Sequence, residues 1–344
     1  MRLPTMVKGI IGSTVLLSAL STGAAVANEK LTFLEYTLEA DIELVQPVIS
    51  ANIMDNEGNE LVVIGVDEKY QRWLYVYGFK EDKLSLLDKQ PIDPSLFRYD
   101  VYQPEEESEK LQLQKLYFLS ADSLWQYQPG HPVLAAISEE STQGQINKVA
   151  PISSITLTPK ADYISRGNFV KDINNDGIAD IVLSDFKTLH LLLANNNPVS
   201  DLQTFTLQSL PLLPNIELTD TGAEYSQPEL YFSDANFDNR DDIIKVGVGL
   251  LEVYFQKDNG QFTPSATFIS VSQPISGVDW WKKRDAYGRQ LDQSDLLYRK
   301  VEKIADINAD GITDLVIRYT KSSGVFDRSN DYEVYLGSNK NNVL

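Results

Sequence analysis

The amino-acid sequence predicts an all-β fold, a β-propeller of about five four-stranded blades closed by an N-terminal strand, on the basis of three observations. Short apolar or alternating runs recur along the chain, and turns rich in Asn, Asp, Gly and Pro separate them. No segment has a long 3.6-residue periodicity, which indicates little helix. A nine-residue acidic pattern recurs with starts that are 120, 62 and 72 residues apart. Repeats of this size with four short strands are typical of propeller blades.

The strand pattern is clearest in the third repeat. Its four predicted strands are Asn168–Ile173, Asp180–Ser184, Thr188–Leu193 and Thr204–Pro211. By the same pattern the five blades begin near Val48, Leu96, Asn168, Glu229 and Val301. The segment Leu31–Ile42 resembles the outer strand Thr204–Leu213, and as the last strand of the fifth blade it would close the ring and remove exposed edges. The alternative is that the chain is a fragment of a larger propeller.

Residues 1–27 have the parts of a secretory signal peptide. Arg2 and Lys8 precede an apolar stretch that ends in the small residues Ala25–Ala27, which form an A-x-A cleavage signal. The apolar run is shorter than the roughly 20 residues that a membrane-spanning helix needs, and no later segment comes near 18 apolar residues. We therefore predict an exported protein, periplasmic or extracellular, whose mature chain comprises residues 28–344 and has no membrane span.

The composition excludes several classes of function. The 344 residues include 49 acidic and 30 basic side chains, a formal net charge of −19. Nucleic-acid binding and docking on an anionic membrane both need a basic face, so the charge argues against them. The absence of Cys excludes disulfides, thiol nucleophiles and thiolate metal sites. Such a chain is compatible with binding cations through oxygen ligands.

Three acidic loops of nine residues, loop A (172–180), loop B (234–242) and loop C (306–314), are predicted to bind up to three Ca²⁺ ions. Positions 1, 3, 5 and 9 supply side-chain oxygens and position 7 a backbone carbonyl, a set that suits calcium better than magnesium. The predicted ligands are Asp172, Asn174, Asp176, Ile178 and Asp180 in loop A, Asp234, Asn236, Asp238, Arg240 and Asp242 in loop B, and Asp306, Asn308, Asp310, Ile312 and Asp314 in loop C.

Position 6 of each loop must turn sharply, with a positive φ. Gly177 and Gly311 adopt this conformation freely, and Asn239 is the next most tolerant residue. The alternative interpretation is a set of solvated turns, since Asp, Asn and Gly dominate turns in general. An eroded fourth copy, Asn52–Glu60, has Met54 at a ligand position and only Asn56 and Glu60 as plausible ligands, so we predict that it binds no ion.

The phrases FVKDINNDGIADIVL (169–183) and IADINADGITDLVI (304–317) resemble FG-GAP/VCBS-type repeats. These repeats occur in integrin α-subunit propellers, which have seven blades, and in many secreted bacterial proteins. The resemblance is clear from residue 168 to 337 and faint from 48 to 128. It implies a calcium-stabilised propeller in which the equivalents of Asp172, Asn174, Asp176 and Asp180 hold ions that brace the blades and are not catalytic.

The connection between the fourth and fifth blades contains the one concentrated basic and aromatic patch of the sequence. Its predicted partner-binding residues are Trp280, Trp281, Arg284, Tyr287 and Arg289. Loops of this kind carry recognition, and Trp, Tyr and Arg dominate binding hot spots. The alternative is that the two Trp side chains pack beneath the loop as a small core of their own.

The sequence thus predicts a secreted, calcium-binding scaffold or binding module for a protein or glycan partner. Catalytic residues and organic cofactors are not predicted. One alternative is a carbohydrate-active enzyme, a polysaccharide lyase or hydrolase, with carboxylates in the central channel of the same scaffold. A further alternative is a degenerate propeller that forms part of a larger surface assembly.

Overall fold

The computed structural model describes residue 35 and the ranges 41–54, 58–80, 83–102, 113–130, 144–152, 164–195, 202–219, 222–282, 289, 297–322 and 327–338. The predicted signal peptide, most of the predicted closing strand Leu31–Ile42, and residues Arg284 and Tyr287 lie outside them. In the described ranges all regular structure is β-strand apart from one 3-10 turn at Trp280–Lys282, so the all-β prediction is confirmed.

The first two sheets contain ten strands. The first sheet comprises β1 (Glu43–Leu44), β2 (Ile49–Ala51), β3 (Glu60–Val66), β4 (Arg72–Lys80) and β5 (Lys83–Ile92). The second comprises β6 (Arg98–Val101), β7 (Leu116–Leu119), β8 (Ser123–Gln128), β9 (Gln145–Pro151) and β10 (Ser165–Arg166).

The remaining strands form three further sheets and one hairpin. The third sheet comprises β11 (Val170–Lys171), β12 (Asp180–Ser184), β13 (Leu189–Ala194) and β14 (Phe205–Leu210). A two-stranded hairpin follows, formed by β15 (Asn215–Thr219) and β16 (Gly222–Ser226). The fourth sheet comprises β17 (Leu230–Ser233), β18 (Asp242–Val246), β19 (Leu250–Tyr254) and β20 (Thr267–Ser270), and the fifth β21 (Leu297–Ala305), β22 (Asp314–Ser322) and β23 (Arg328–Tyr335).

Each of the five larger sheets contains an antiparallel meander of at least three consecutive strands and begins close to a predicted blade start. The predicted four strands per sheet are observed in the third and fourth sheets only. In the first sheet β1 and β2 pair successively along the same edge of β3. In the second, β10 adds to β6 as a parallel fifth strand. The fifth sheet has three described strands.

Neighbouring sheets pack face to face, and this explains why their central strands read as continuous apolar runs. In β12, Ile181 and Leu183 pack against the second sheet, whereas Val182 packs against the fourth. In β18, Ile243 packs against the third sheet and Ile244 against the fifth. Because side chains alternate between the two faces of a strand, a sheet buried on both sides needs apolar residues at successive positions.

The apolar clusters connect the sheets in chain order. One cluster joins the first and second sheets, and others join the second to the third, the third to the fourth and the fourth to the fifth. Among the described residues none joins the fifth sheet to the first, so these contacts alone form an open stack. In β23 the side chains of Tyr332 and Val334 are more than half exposed.

The described part of the chain contains no helix with the length and apolar character needed to cross a membrane.

Candidate metal centre

The three acidic loops occupy the same place in three consecutive sheets. Loop A connects β11 to β12, loop B connects β17 to β18, and loop C connects β21 to β22. In each loop the position-9 aspartate is the first residue of the following strand. The apolar run after the aspartate forms that strand and anchors the loop to the core.

The backbone of each loop turns at two positions with positive φ. Position 6 has φ of 83° at Gly177, 64° at Asn239 and 80° at Gly311, which confirms the predicted turn. Position 4 is also left-handed, with φ values of 58°, 63° and 60° at Asn175, Phe237 and Ala309. The sequence did not predict this second turn, since Phe and Ala rarely adopt a positive φ.

Side-chain oxygens wind each loop by accepting its own backbone N–H groups. In loop A, Asp172 accepts hydrogen bonds from the amides of Asp176 at 3.2 Å and Gly177 at 2.8 Å. The Asn174 oxygen accepts the same Asp176 amide at 3.1 Å, and the Asp176 carboxylate accepts that of Ile178 at 2.9 Å. Loops B and C repeat these bonds at 2.7–3.1 Å. The oxygens of positions 1, 3 and 5 are thereby gathered within one turn.

The position-9 aspartate is buried and clamps the loop to its sheet. Asp180 accepts the amide of Ile173 at 3.2 Å with one oxygen and that of Ala194, in β13, at 2.7 Å with the other. Asp242 and Asp314 each accept the two equivalent amides at 2.8–2.9 Å. Sequence reasoning assigned position 9 to the metal and missed this clamp, because the third-strand partner is distant in sequence.

Burial raises the pKa of three aspartates of loops A and B. Burial raises the pKa of Asp180 to about 8 and that of Asp242 to about 7, against the opposing effect of the backbone amides that they accept. Burial also raises the pKa of Asp172, and the nearby charge of Asp176 raises it further. The Asp172 carboxyl, a predicted ligand, therefore carries its negative charge at an energetic cost that a cation would offset.

The eroded copy keeps the clamp without the acidic loop. Glu60 is 1% exposed and accepts the amides of Ile53 at 2.9 Å and Met54 at 3.1 Å. The Met54 side chain is buried in the apolar cluster between the first and second sheets. Asn56, the other plausible ligand of this copy, lies outside the described residues.

Loop B differs from the other two loops at position 7, where Arg240 replaces Ile178 and Ile312. The Arg240 guanidinium contacts the Asp238 carboxylate at 2.5 Å and Asp258, in the β19–β20 connection, at 2.9 Å. In loops A and C the corresponding position-5 oxygen accepts the neutral amide of the loop's own Asn, at 3.1 Å and 2.9 Å.

Hydrogen bonds between adjacent sheets connect the loops to one another. The Gln256 side-chain amide donates to the backbone oxygen of Asn174 in loop A at 2.8 Å. The backbone N–H of the same residue donates to the Asp242 carboxylate of loop B, also at 2.8 Å. The Thr313 hydroxyl of loop C donates to the backbone oxygen of Asp234 in loop B at 2.6 Å. The three loops therefore form a continuous row on one side of the stacked sheets.

The donor chemistry decides which loops fit Ca²⁺. No three His, Cys, Asp or Glu side chains cluster as metal ligands anywhere in the described ranges, because the third acid of each loop is turned to the clamp. Loops A and C offer two carboxylates, one amide oxygen and a backbone carbonyl, an all-oxygen set that fits calcium. Buried Gln256 Oε1, which has no hydrogen-bond donor, adds an unpaired oxygen beside loop A. Loop B fits less well, since a guanidinium already contacts its position-5 carboxylate.

The predicted partner-binding residues are divided between core and surface. Trp280 is 6% exposed and packs against Tyr298, with the Arg328 guanidinium 4.4 Å from its ring centroid. Trp281 is 43% exposed and lies edge-on to Trp280 with ring centroids 5.5 Å apart. Arg289 is exposed. Trp280 therefore packs beneath the loop, as the alternative interpretation predicts, whereas Trp281 and Arg289 are exposed.

Comparisons with known proteins give no family. No family model matches the chain, and no curated protein matches it. Two similar solved structures are crystal structures of TcdB2-TccC3-Cdc42 and of TcdB2-TccC3 without its hypervariable C-terminal region. Both are 12% identical, with TM-scores of 0.24 and 0.23 over 77% and 79% of this chain. The chain spans 17% and 13% of their lengths. Likenesses with TM-scores this low carry no argument about fold or function.

Proposed function

We propose that the protein is an exported, calcium-braced β-propeller that serves as a binding scaffold for a protein or glycan partner. The observation that carries the proposal is the threefold repetition of one loop geometry at the same place in consecutive sheets, with loops A and C presenting an all-oxygen donor set. Face-to-face packing of meander sheets in chain order supports the propeller architecture.

The residues of loops A and C would hold the ion. Asp172, Asn174 and Asp176 would supply side-chain oxygens in loop A, Ile178 its carbonyl, and loop C would use its equivalents. When bound, Ca²⁺ neutralises carboxylates whose mutual repulsion otherwise loosens the turn. The clamp aspartates connect each loop to its second and third strands, so a rigid loop fixes the neighbouring sheet edges as well.

The partner would meet loops that this bracing holds in place. Trp281 and Arg289 are exposed on the β20–β21 connection, and the Arg318 guanidinium lies 5.8 Å from the centroid of the Trp281 ring. Exposed Trp and Arg side chains suit both protein hot spots and sugar stacking. Immobilised neutral and acidic polysaccharides test the glycan partner. We expect wild-type retention that Trp281→Ala loses; no retention on any of them would leave a protein partner as the remaining form of the proposal.

Thermal unfolding of residues 28–344 tests the calcium role. The sample is stripped with EGTA and titrated with Ca²⁺, with Mg²⁺ as the ion control. Linkage gives about 2.7 kcal/mol per site at a hundred times its Kd, so we expect a clear rise in Tm. The double variant Asp176→Ala/Asp310→Ala should lose this rise, and Glu43→Gln, an exposed acid of β1, should keep it. A wild-type Tm that is indifferent to calcium would refute the proposal.

A further inference from the structure

We infer that loop B is neutralised by Arg240 in place of a metal ion, so that calcium binds loops A and C only. This inference rests on the calcium role proposed above and deepens it. It departs from the three equivalent sites that the repeated sequence pattern predicts.

The Arg240 guanidinium is held on three sides by oxygen. Its Nη2 donates to Asp238 at 2.5 Å, its Nη1 lies 2.9 Å from Asp258, and its Nε lies 3.4 Å from the backbone oxygen of Gln256. The backbone N–H of Gln256 is in turn fixed by the buried clamp residue Asp242 at 2.8 Å. An arginine stays protonated at any pH at which the protein folds. The position-5 carboxylate of loop B thus has a permanent cation in contact with it.

No basic side chain of the described ranges forms an ion pair with the predicted ligands of loops A and C. Their position-7 residues are Ile178 and Ile312, and no ion pair of the described residues involves Asp172, Asp176, Asp306 or Asp310. The second carboxylate oxygen of position 5 accepts a hydrogen bond from the neutral side-chain amide of the Asn at position 3 of its own loop. The negative charge of these two loops is therefore left for an external cation.

A metal ion and the guanidinium would compete in loop B. Ca²⁺ uses carboxylate oxygens of positions 1 and 5, and Arg240 occupies one oxygen of position 5. The positive charges of a bound Ca²⁺ ion and of the Arg240 guanidinium would repel each other at neighbouring positions. Ion binding would therefore require the guanidinium to leave Asp238 and Asp258. With Arg240 in place, the side chains of loop B accept the same backbone N–H groups as those of loops A and C. Loop B therefore has the same turn as its neighbours with the guanidinium bound.

Position 7 offers a matched pair of variants. Arg240→Ile gives loop B the residue that loops A and C carry, and Ile178→Arg gives loop A the residue of loop B. The number of Ca²⁺ ions bound per chain is measured by isothermal titration calorimetry on the protein of residues 28–344, after EGTA treatment and dialysis. We expect two ions per wild-type chain, three for Arg240→Ile and one for Ile178→Arg.

The wild-type count requires no variant to fold and tests the inference by itself. Three ions in the wild type would overturn the inference and leave the calcium role intact. Two ions in both the wild type and folded Arg240→Ile would also overturn it, because Arg240 would then not be the group that excludes the ion. A count of zero would overturn the proposed calcium role and this inference together.

Discussion

The loop that precedes β3 and the loop that precedes β12 both have a buried acid at position 9, but they differ at position 3. Both have an acid at position 9, Glu60 and Asp180, whose oxygens accept backbone amides at the start of the loop. At position 3, however, the first loop has Met54, buried in the core, where loop A has Asn174. The buried acid is thus present both in a loop with the predicted ligand at position 3 and in one without it.

The first loop replaces ionic bracing by packing and by hydrogen bonds to the next sheet. The Asn52 amide donates to the Gln114 side chain at 2.6 Å, and the Gln114 amide donates to the Asn52 backbone oxygen at 2.6 Å. Met54 and Ile53 pack in the cluster that joins the first and second sheets. Such a loop keeps its shape without a cation, whereas loop A depends on what neutralises its acids.

Removing the clamp should have the largest effect on stability. Asp180→Ala leaves two buried N–H donors without an acceptor, at about 1–3 kcal/mol each. Glu60→Ala should cost a similar amount, and both losses should be the same with Ca²⁺ as with EGTA. Urea unfolding followed by Trp fluorescence measures them. A loss for Asp180→Ala that appears only in calcium would show that position 9 acts through the metal rather than through the fold.

Truncation at position 3 of the first loop comes next. Met54→Ala removes a buried side chain from the core between the first two sheets, and we expect a loss of about 2–5 kcal/mol. The free energy of unfolding should fall equally in EGTA and in excess Ca²⁺. A smaller loss in calcium would mean that this loop binds an ion, contrary to our prediction for the eroded copy.

The same truncation in loop A should behave in the opposite way. Asn174→Ala loses two exposed hydrogen bonds, one from the Asp176 backbone N–H and one to the Asp176 carboxylate, and should cost about 1 kcal/mol in EGTA. At a hundred times the wild-type Kd the deficit should grow toward the about 2.7 kcal/mol that one bound ion supplies. Comparison of the two urea curves isolates the ionic part. An equal loss in the free energy of unfolding in EGTA and in Ca²⁺ would mean that loop A, like the first loop, binds no ion.

The smallest expected effect is on the contact between loops B and C. Thr313→Val keeps the side-chain shape and removes the hydroxyl that bonds the backbone oxygen of Asp234 and the Ser233 hydroxyl, for a loss of about 1–2 kcal/mol. Its control is Thr320→Val in β22, whose hydroxyl bonds within the same sheet. If the row of loops acts as one unit, Thr313→Val also weakens calcium binding in titration and Thr320→Val does not. Unchanged affinity in both variants would make the loops independent.

The sequence by itself determined the local structure. Alternating and continuous apolar runs located the five larger sheets, and the turn at position 6 followed from the need for Gly or Asn at a positive φ. These features are determined within a few residues, so composition and spacing suffice to predict them. The hairpin β15–β16 and the parallel addition of β10 to β6 were not predicted, because their short strands lack a distinctive pattern.

The tertiary structure decided what each polar side chain does. Asp180 became a clamp because β13 brings the Ala194 amide beside it, and Gln256 reaches Asn174 across 82 positions of sequence. Arg240 meets Asp258 only because the β19–β20 connection returns to loop B. Partners of this kind depend on how sheets stack, and the spacing of residues within one loop carries no information about them. The motif predicted three equivalent loops, whereas Arg240 at position 7 and its contact with Asp258 make loop B unlike the other two.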